Sequence, residues 1–376
     1  MKKQLGQFFT TNSSYILQGF ESFVKNKKIS DPFAGNQDLL SWAKKNGCEK
    51  TIGFDCDKNY VDNKNVFSND SINNPQKYNF VCTNPPYLHK NKADRNIKAN
   101  FFSNTNSIFE DLYQVSINSI MDCKEGILIV PLNFLCAENS KKIRALFFEK
   151  FKIVKLNIFK EKVFKDTTYN VISFYFKEKK ADINEIATTI YPQNKKLILT
   201  LKKEYDWQFG GDFIKKIKTT KNKLGITRLT EKHLEPGEHK IELALQNINH
   251  KKVFQVSNTS KARLKNNILF LRAIDSKNGK KIQLEDIRNY NVHGLVGKQT
   301  SRNLAHIIFQ ENIPIKEQEE LMERFNSELN KNRNEYFSFF LTNFRDNNRK
   351  RISFNTAYKF LNYIYYEKYS KQSSLF

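Results

Sequence analysis

The stretch Tyr78-Asn79-Phe80-Val81-Cys82-Thr83-Asn84-Pro85-Pro86-Tyr87 decides how the rest of the chain is read. Up to Thr83, aromatic and β-branched residues dominate, which predicts a short buried strand that the double proline ends. The prolines remove two backbone donors and fix two φ angles, so Asn84 and the Pro85 carbonyl are expected to face outward as a rigid pair of acceptors. An exocyclic amine on an aromatic ring is a poor nucleophile because its lone pair is delocalised. Two acceptors holding its two hydrogens would draw the nitrogen towards sp³ and free that pair. Tyr87 adds an aromatic face on which a planar base can stack. Asn and Pro also favour ordinary turns, so the remainder of the chain has to decide between the two readings.

Working back towards the N-terminus, three acids each follow a short apolar run. Ile29-Ser30-Asp31-Pro32-Phe33-Ala34-Gly35 predicts a strand and tight turn, followed by a helix holding Leu39, Leu40, Trp42 and Ala43 until Gly47 stops it. Gly35 in such a turn lets the backbone approach a ligand closely. Thr51-Ile52-Gly53-Phe54-Asp55 is a second strand, ending about twenty residues after that glycine, where a doubly wound nucleotide-binding unit places a ribose-binding carboxylate. Asp57 competes for that role. Val66 to Ile72 predicts a third strand carrying Asp70. Asp31, Asp55, Asp70 and Asn84 therefore fall in the order in which one carboxyl edge of a Rossmann-like sheet would present them.

These segments resemble the motifs of S-adenosylmethionine-dependent amino-methyltransferases, above all the DNA adenine-N6 methyltransferases of restriction-modification systems. Asn84-Pro85-Pro86-Tyr87 looks like motif IV, and the resemblance implies catalytic roles for Asn84, Pro85 and Tyr87. Gly6-Gln7-Phe8-Phe9-Thr10 looks like motif X, whose place ahead of the other motifs matches the γ class. The resemblance covers roughly the first half of the chain. It implies that Gln7, Phe8, Thr10, Asp31, Gly35, Asp55, Asp70 and Asn84 hold S-adenosyl-L-methionine. Motif I departs from D-P-x-x-G-x-G at Gln37, which stands where a second glycine is usual and suggests a locally different turn. Val163 to Tyr169 takes the place of motif VIII, so that Phe164 or Tyr169, besides Tyr87, would stack on the target base; a core role suits either residue equally well.

The fold class implied is α/β: a Rossmann-like methyltransferase sheet of seven strands with its last pair antiparallel, plus a C-terminal α+β target-recognition domain. The strands beyond Thr83 are read at Gly126 to Pro131, Ile153 to Phe159 and Asn170 to Phe176. Residues 1–180 are assigned to the catalytic domain and 200–376 to target recognition. In the second region, Asn267 to Ile274 and Val292 to Ile308 are expected to be strands, the latter bearing Lys298, Gln299 and Arg302. Helical patterns follow through Leu321, Phe325 and Leu329, through Tyr336, Phe339 and Phe340, and through Ala357 to Ile364. Arg345, Arg349, Lys350 and Arg351 read as a basic turn between helices, suited to phosphate contact. In the first region, Leu88 to Ser107 is a polar stretch without periodicity whose Lys90, Lys92 and Arg95 would lie against DNA as a basic lid.

Composition agrees with a polyanionic partner: the 376 residues carry a formal net charge of +24 and 13% aromatic residues. Double-stranded DNA is the partner expected, with a cognate restriction endonuclease acting on the same site without forming a stable complex. The five cysteines include no C-x-x-C pair, so no disulfide framework and no metal site is indicated. No apolar run approaches a membrane span, so no membrane association is expected and the compartment expected is the cytoplasm, with nucleoid association through DNA. The alternatives are an RNA adenine-N6 methyltransferase, whose relatives usually carry N-L-P-Y or N-I-P-Y, and a catalytically inactive nucleic-acid-binding protein.

Overall fold

The computed structural model describes residues 7–164, 169–344 and 346–369. It divides into two compact units, the first formed essentially by residues 1–211 and the second by residues 212–376, apart from residues 345–348.

The first unit is built on a nine-stranded sheet of order β3-β2-β1-β4-β5-β7-β6-β8-β9. Its strands are β1 (Lys28–Asp31), β2 (Lys50–Asp55), β3 (Val66–Ser68), β4 (Phe80–Thr83), β5 (Glu125–Pro131), β6 (Phe151–Phe159), β7 (Val171–Glu178), β8 (Ile183–Tyr191) and β9 (Lys195–Lys202). The first five are parallel neighbours, whereas β7 is antiparallel to both β5 and β6. All seven strands read from the sequence are present. The hairpin β8–β9 extends the edge, with β8 parallel to β6. Continuous apolar runs form the centre because both faces there are covered: β5 is buried from Gly126 to Pro131 and β4 throughout.

Helix α1 (Asp38–Lys45) follows β1 and buries Leu39, Leu40, Trp42 and Ala43. Helix α2 (Leu112–Ser119) begins at the Asp111 cap, later than the pattern through Ile108 suggests; Ile108 is exposed in a 3₁₀ turn. Helix α3 (Lys141–Lys150) buries Ile143 and Phe147. The segment carrying Ile16, Leu17, Phe20 and Phe23 is two short helices, Ser13–Ile16 and Glu21–Val24, on either side of Gly19, whose φ of +80° breaks the helix.

The second unit contains a four-stranded antiparallel sheet of order β10-β16-β13-β14 and a three-stranded sheet of order β12-β11-β15. These strands are β10 (Thr227–Arg228), β11 (His239–Leu245), β12 (Asn247–Val256), β13 (Leu269–Arg272), β14 (Gln283–Asp286), β15 (Leu295–Val296) and β16 (Leu304–Ile308). The expected strand Val292 to Ile308 is thus two short strands with an intervening loop. Gly294 is closely enclosed, since a Cβ there would meet Leu264 Cδ2 at 2.8 Å and His306 Nδ1 at 2.9 Å. Helix α4 (Asn258–Lys265) precedes β13, and α5 (Ile315–Glu335) buries Leu321, Phe325 and Leu329. Helix α6 (Phe354–Tyr369) includes buried Ala357, Phe360, Leu361 and Ile364.

The basic stretch before α6 is a correction to the sequence reading. It lies on a strand, β18 (Asp346–Arg351), paired with β17 (Thr342–Phe344), rather than in a turn between helices. Lys350 is buried, and its backbone N–H donates to Asp275 Oδ2 at 2.9 Å. Arg349 Nε donates to the Asp275 carbonyl at 2.9 Å. Arg333 completes the node through paired bonds to Asp275 of 2.8 and 2.9 Å. These interactions tie the stretch to the interior, because a buried carboxylate needs several donors at once. Arg345 lies outside the described residues. No helix among the described residues is long and apolar enough to cross a membrane.

Candidate active site

The strand order reverses between β1 and β4, and the crevice at such a reversal is where open α/β sheets bind ligands. A cleft opens there, lined by Gln7, Phe8, Thr10, Asp31, Gly35, Asp55, Asp70 and Asn84 among others. All eight residues expected to hold a cofactor therefore meet in one place, although they come from five separate segments.

Each acid is fixed by its own strand end. Asp31 closes β1 and is fully buried; Thr83 Oγ1 donates to its Oδ1 at 2.6 Å and the Phe33 amide at 3.1 Å. Burial outweighs those bonds, and with help from Asp55 it lifts the carboxyl to about 7. Asp55 ends β2 and accepts from the Gly35 amide at 2.9 Å and the Asp57 amide at 2.8 Å. Burial raises its pKa as well. Asp57 turns away: its carboxylate accepts from Asn59, capping a 3₁₀ turn, and does not line the cleft. Asp70 accepts from the Ile72 and Asn73 amides at 3.1 and 3.2 Å.

Gly35 adopts a φ of +44°, and a Cβ there would press on the Phe9 ring at 3.3 Å. Gln37 takes a φ of 65°, the left-handed conformation that glycine would supply, and its side chain donates to Asp62 Oδ2 at 2.9 Å. The turn is therefore preserved at a cost of about 1 kcal/mol of backbone strain, with Gln37 turned away from the cleft.

At the tip of β4, the Asn84 amide is held at both ends. Its Nδ2 donates to the Phe8 carbonyl at 2.7 Å and to Thr10 Oγ1 at 3.1 Å. A carbonyl can only accept, so this bond sends Oδ1 the other way, where it accepts from the Tyr87 hydroxyl at 2.6 Å. Tyr87 also reaches the Ile129 carbonyl at 3.1 Å. Burial, and secondarily Tyr113, raises the Tyr87 pKa well above the ordinary phenol value, so it remains a neutral donor. Pro86 lines the cleft, while Pro85 is buried.

The three rings expected around a target base do not form an open slot. Phe8 lies 5.2 Å from Tyr87, ring to ring, and is stacked at 6.1 Å and 17° on Phe164. Phe164 and Tyr87 are both buried, and neither lines the cleft. Tyr169 is half-buried, and its neighbours Lys165 to Thr168 lie outside the described residues. Phe8, assigned to the cofactor from the sequence, thus also stands between two residues assigned to the base.

The stretch after Tyr87 is more ordered than its polarity suggests. It contains 3₁₀ turns at Lys90–Lys92 and Asn104–Ile108 and a helix at Arg95–Phe101. Phe101 and Leu112 line the cleft and were not read as site residues. The only sequence signal was the Phe101-Phe102 pair inside an otherwise polar run. In the second unit, Lys298, Gln299 and Arg302 are exposed on the loop between β15 and β16. Arg228, also unread, holds that loop: its guanidinium donates to the Ser301 carbonyl at 2.5 Å and to the Gln299 carbonyl.

A sheet with acids at successive strand ends around a crevice is the architecture of nucleotide-cofactor enzymes. Residues 7–164 match the model of the Eco57I restriction-modification methylase family, so the resemblance read from the motifs is borne out over that segment. No curated protein matches the chain. Among solved structures, the type IIL restriction-modification enzyme MmeI, determined in complex with DNA, is 12% identical, with 93% of this chain and 64% of that one covered and a TM-score of 0.50, a likeness of fold. A modification subunit of a putative type I restriction enzyme from Vibrio vulnificus YJ016 is 15% identical over 51% of this chain and 49% of its own, with a TM-score of 0.38. The type IIG restriction endonuclease BpuSI is 14% identical over 66% and 42%, with a TM-score of 0.40. The chain spans about half the length of the Vibrio subunit.

Proposed function

We propose that the protein is a site-specific DNA methyltransferase that uses S-adenosylmethionine to methylate the N6 amine of an adenine rotated out of the duplex, within a restriction-modification system. The observation that carries this reading is the placement of Asn84 at the rim of a cleft lined by Asp31, Asp55 and Asp70. Those residues fit the cofactor by their chemistry: a buried carboxylate suits a ligand bearing an ammonium and a sulfonium, Asp55 suits ribose hydroxyls, and Asp70 suits an adenine amine. Gln7 Oε1, buried without a hydrogen-bond partner among the described residues, provides a further acceptor at the same cleft. When bound, S-adenosylmethionine supplies the methyl group.

The chain's own part is to position the amine. Asn84 Oδ1 has two lone pairs; one receives the Tyr87 hydroxyl and the other is left for an amine hydrogen. The Pro85 carbonyl accepts the second hydrogen. No side chain has to remove a proton beforehand. Phe8 gives up its place between Tyr87 and Phe164 to the incoming base, whose stacking replaces the contacts that Phe8 loses. Duplex DNA as substrate is supported by the charge of +24 and by the exposed, Arg228-braced loop bearing Lys298, Gln299 and Arg302.

The deciding experiment is adenine-methylation sequencing of DNA from cells expressing the wild-type chain or Asn84→Ala. A single methylated sequence motif is expected with the wild type and none with the variant. Unmethylated DNA with the wild type, or equal methylation in both, would overturn the reading.

A further inference from the structure

Residues 88–112 form a loop closed at its neck. The Leu112 amide donates to the Leu88 carbonyl at 2.7 Å, the Lys90 amide donates to the Glu110 carbonyl at 2.7 Å, and His89 pairs with Asp111 in an antiparallel bridge. Inside the loop, the Asp94 carboxylate accepts from the Ile97 amide at 2.8 Å and starts the helix Arg95–Phe101. Phe102 and Phe109 are buried and anchor the loop to the unit. Phe101 is different. It is half-buried, ends the helix, and lines the same cleft as Ile72, Pro86 and Leu112.

An aromatic ring facing an open cleft lacks the dispersion contacts that a filled site would supply. A planar heterocycle beside Asp70 needs an apolar cover, and Phe101 is the aromatic that the loop contributes there. The outer side of the loop carries exposed Lys92 and Arg95. Closing the loop on a ligand would therefore also fix two cations.

We infer that residues 88–112 are a lid that closes on the nucleoside end of the cofactor through Phe101, so that an occupied cofactor cleft holds Lys92 and Arg95 ready for DNA phosphates. This rests on the methyltransferase reading above and adds an order of events: cofactor first, DNA second. Phe101 acts as a positioning residue.

The test uses the full chain, with S-adenosylhomocysteine as probe and a labelled random-sequence duplex. Calorimetry should show wild-type binding, weakened roughly tenfold in Phe101→Ala, the size expected for loss of one base-stacking aromatic, and largely restored in Phe101→Tyr. Trypsin cleavage after Lys92 and Arg95 should slow when the probe saturates the wild type, and should not slow in Phe101→Ala. Duplex affinity by anisotropy should rise about threefold or more with the probe in the wild type and stay level in the variant. Wild-type binding with an unchanged Phe101→Ala affinity, or with no protection of the loop, would overturn the lid while leaving the methyltransferase reading intact. Absence of wild-type binding would overturn both.

Discussion

The Tyr87 hydroxyl donates to Asn84 Oδ1 at 2.6 Å, so the atom expected to receive the target amine is already oriented by the next aromatic in the same motif. Two variants separate the acceptor from its support. Asn84→Ala should abolish transfer with cofactor and DNA affinities within about tenfold of wild type, because the lost interaction serves mainly the transition state. Tyr87→Phe keeps the ring and loses one hydrogen bond, which should lower single-turnover methylation by about five- to tenfold at unchanged cofactor affinity. Full activity in Tyr87→Phe would make the hydroxyl dispensable.

With the cofactor role proposed for it, Asp31 should link cofactor binding to pH. Its carboxyl, lifted by burial to about 7, exceeds the unfolded value of 3.8. For an acid this sign means that the unliganded fold loses stability as pH rises from about 4 through 7. A cationic ligand beside it favours the ionised form, so binding should release a proton and S-adenosylmethionine should bind more tightly at pH 8 than at pH 6. Calorimetry in buffers of different ionisation enthalpy measures that proton. Asp31→Asn should bind more weakly and without the pH dependence.

Asp55 accepts two backbone amides and still has acceptor capacity for ribose hydroxyls. Asp55→Ala should weaken S-adenosylmethionine by roughly 1.5 to 3 kcal/mol, the range of charge-assisted bonds. Part of that loss comes from loosening Gly35, so Asp57→Ala is the control and should leave affinity nearly unchanged. The reverse result would transfer the role to Asp57.

In the second unit, Gln299→Ala or Arg302→Ala should change which sequence is methylated, as read by sequencing. Lys350→Ala should instead destabilise the fold by roughly 1 to 2 kcal/mol, since the residue is buried beside the Asp275 node. Removing Lys92 or Arg95, the cations proposed to meet phosphate, should lower the slope of log affinity against log salt by about 1. Binding of cognate and scrambled duplexes across a salt series distinguishes these effects.

His306 provides a second pH test. It is buried on β16, with Nδ1 accepting from the Leu295 amide at 3.0 Å and Nε2 bonded to the Asn267 carbonyl at 2.7 Å. Burial depresses it from 6.5 to about 4. A base depressed in the folded state contributes stability that is full above pH 6.5 and lost as pH falls through 4. At ~1.4 kcal/mol per unit, that amounts to up to ~3 kcal/mol. Urea melts across that range should show the loss in the wild type, and it should be absent from His306→Gln.

Local pattern determined seven of the nine strands of the first unit's sheet, and with the motif resemblance it picked out eight residues that line its cleft. Asp31 and Asp55 end their strands and Asp70 and Asn84 follow theirs closely, so the side chains fall along one carboxyl edge of the parallel sheet. Only the tertiary structure decided what depends on contacts between distant segments. Phe8 and Asn84 are 76 positions apart in the chain, and no periodicity records that the Phe8 carbonyl receives the Asn84 amide. Lys350 looks in sequence like the basic residues beside it, until Asp275, 75 positions away, receives its backbone N–H. Phe101 sits among asparagines and lysines, and its approach to the cleft follows from the neck that joins Leu88 to Leu112. Strand and helix signals lie within a few residues because backbone hydrogen bonding is local or periodic. Side-chain pairing across the fold has no such period, and only packing selects it.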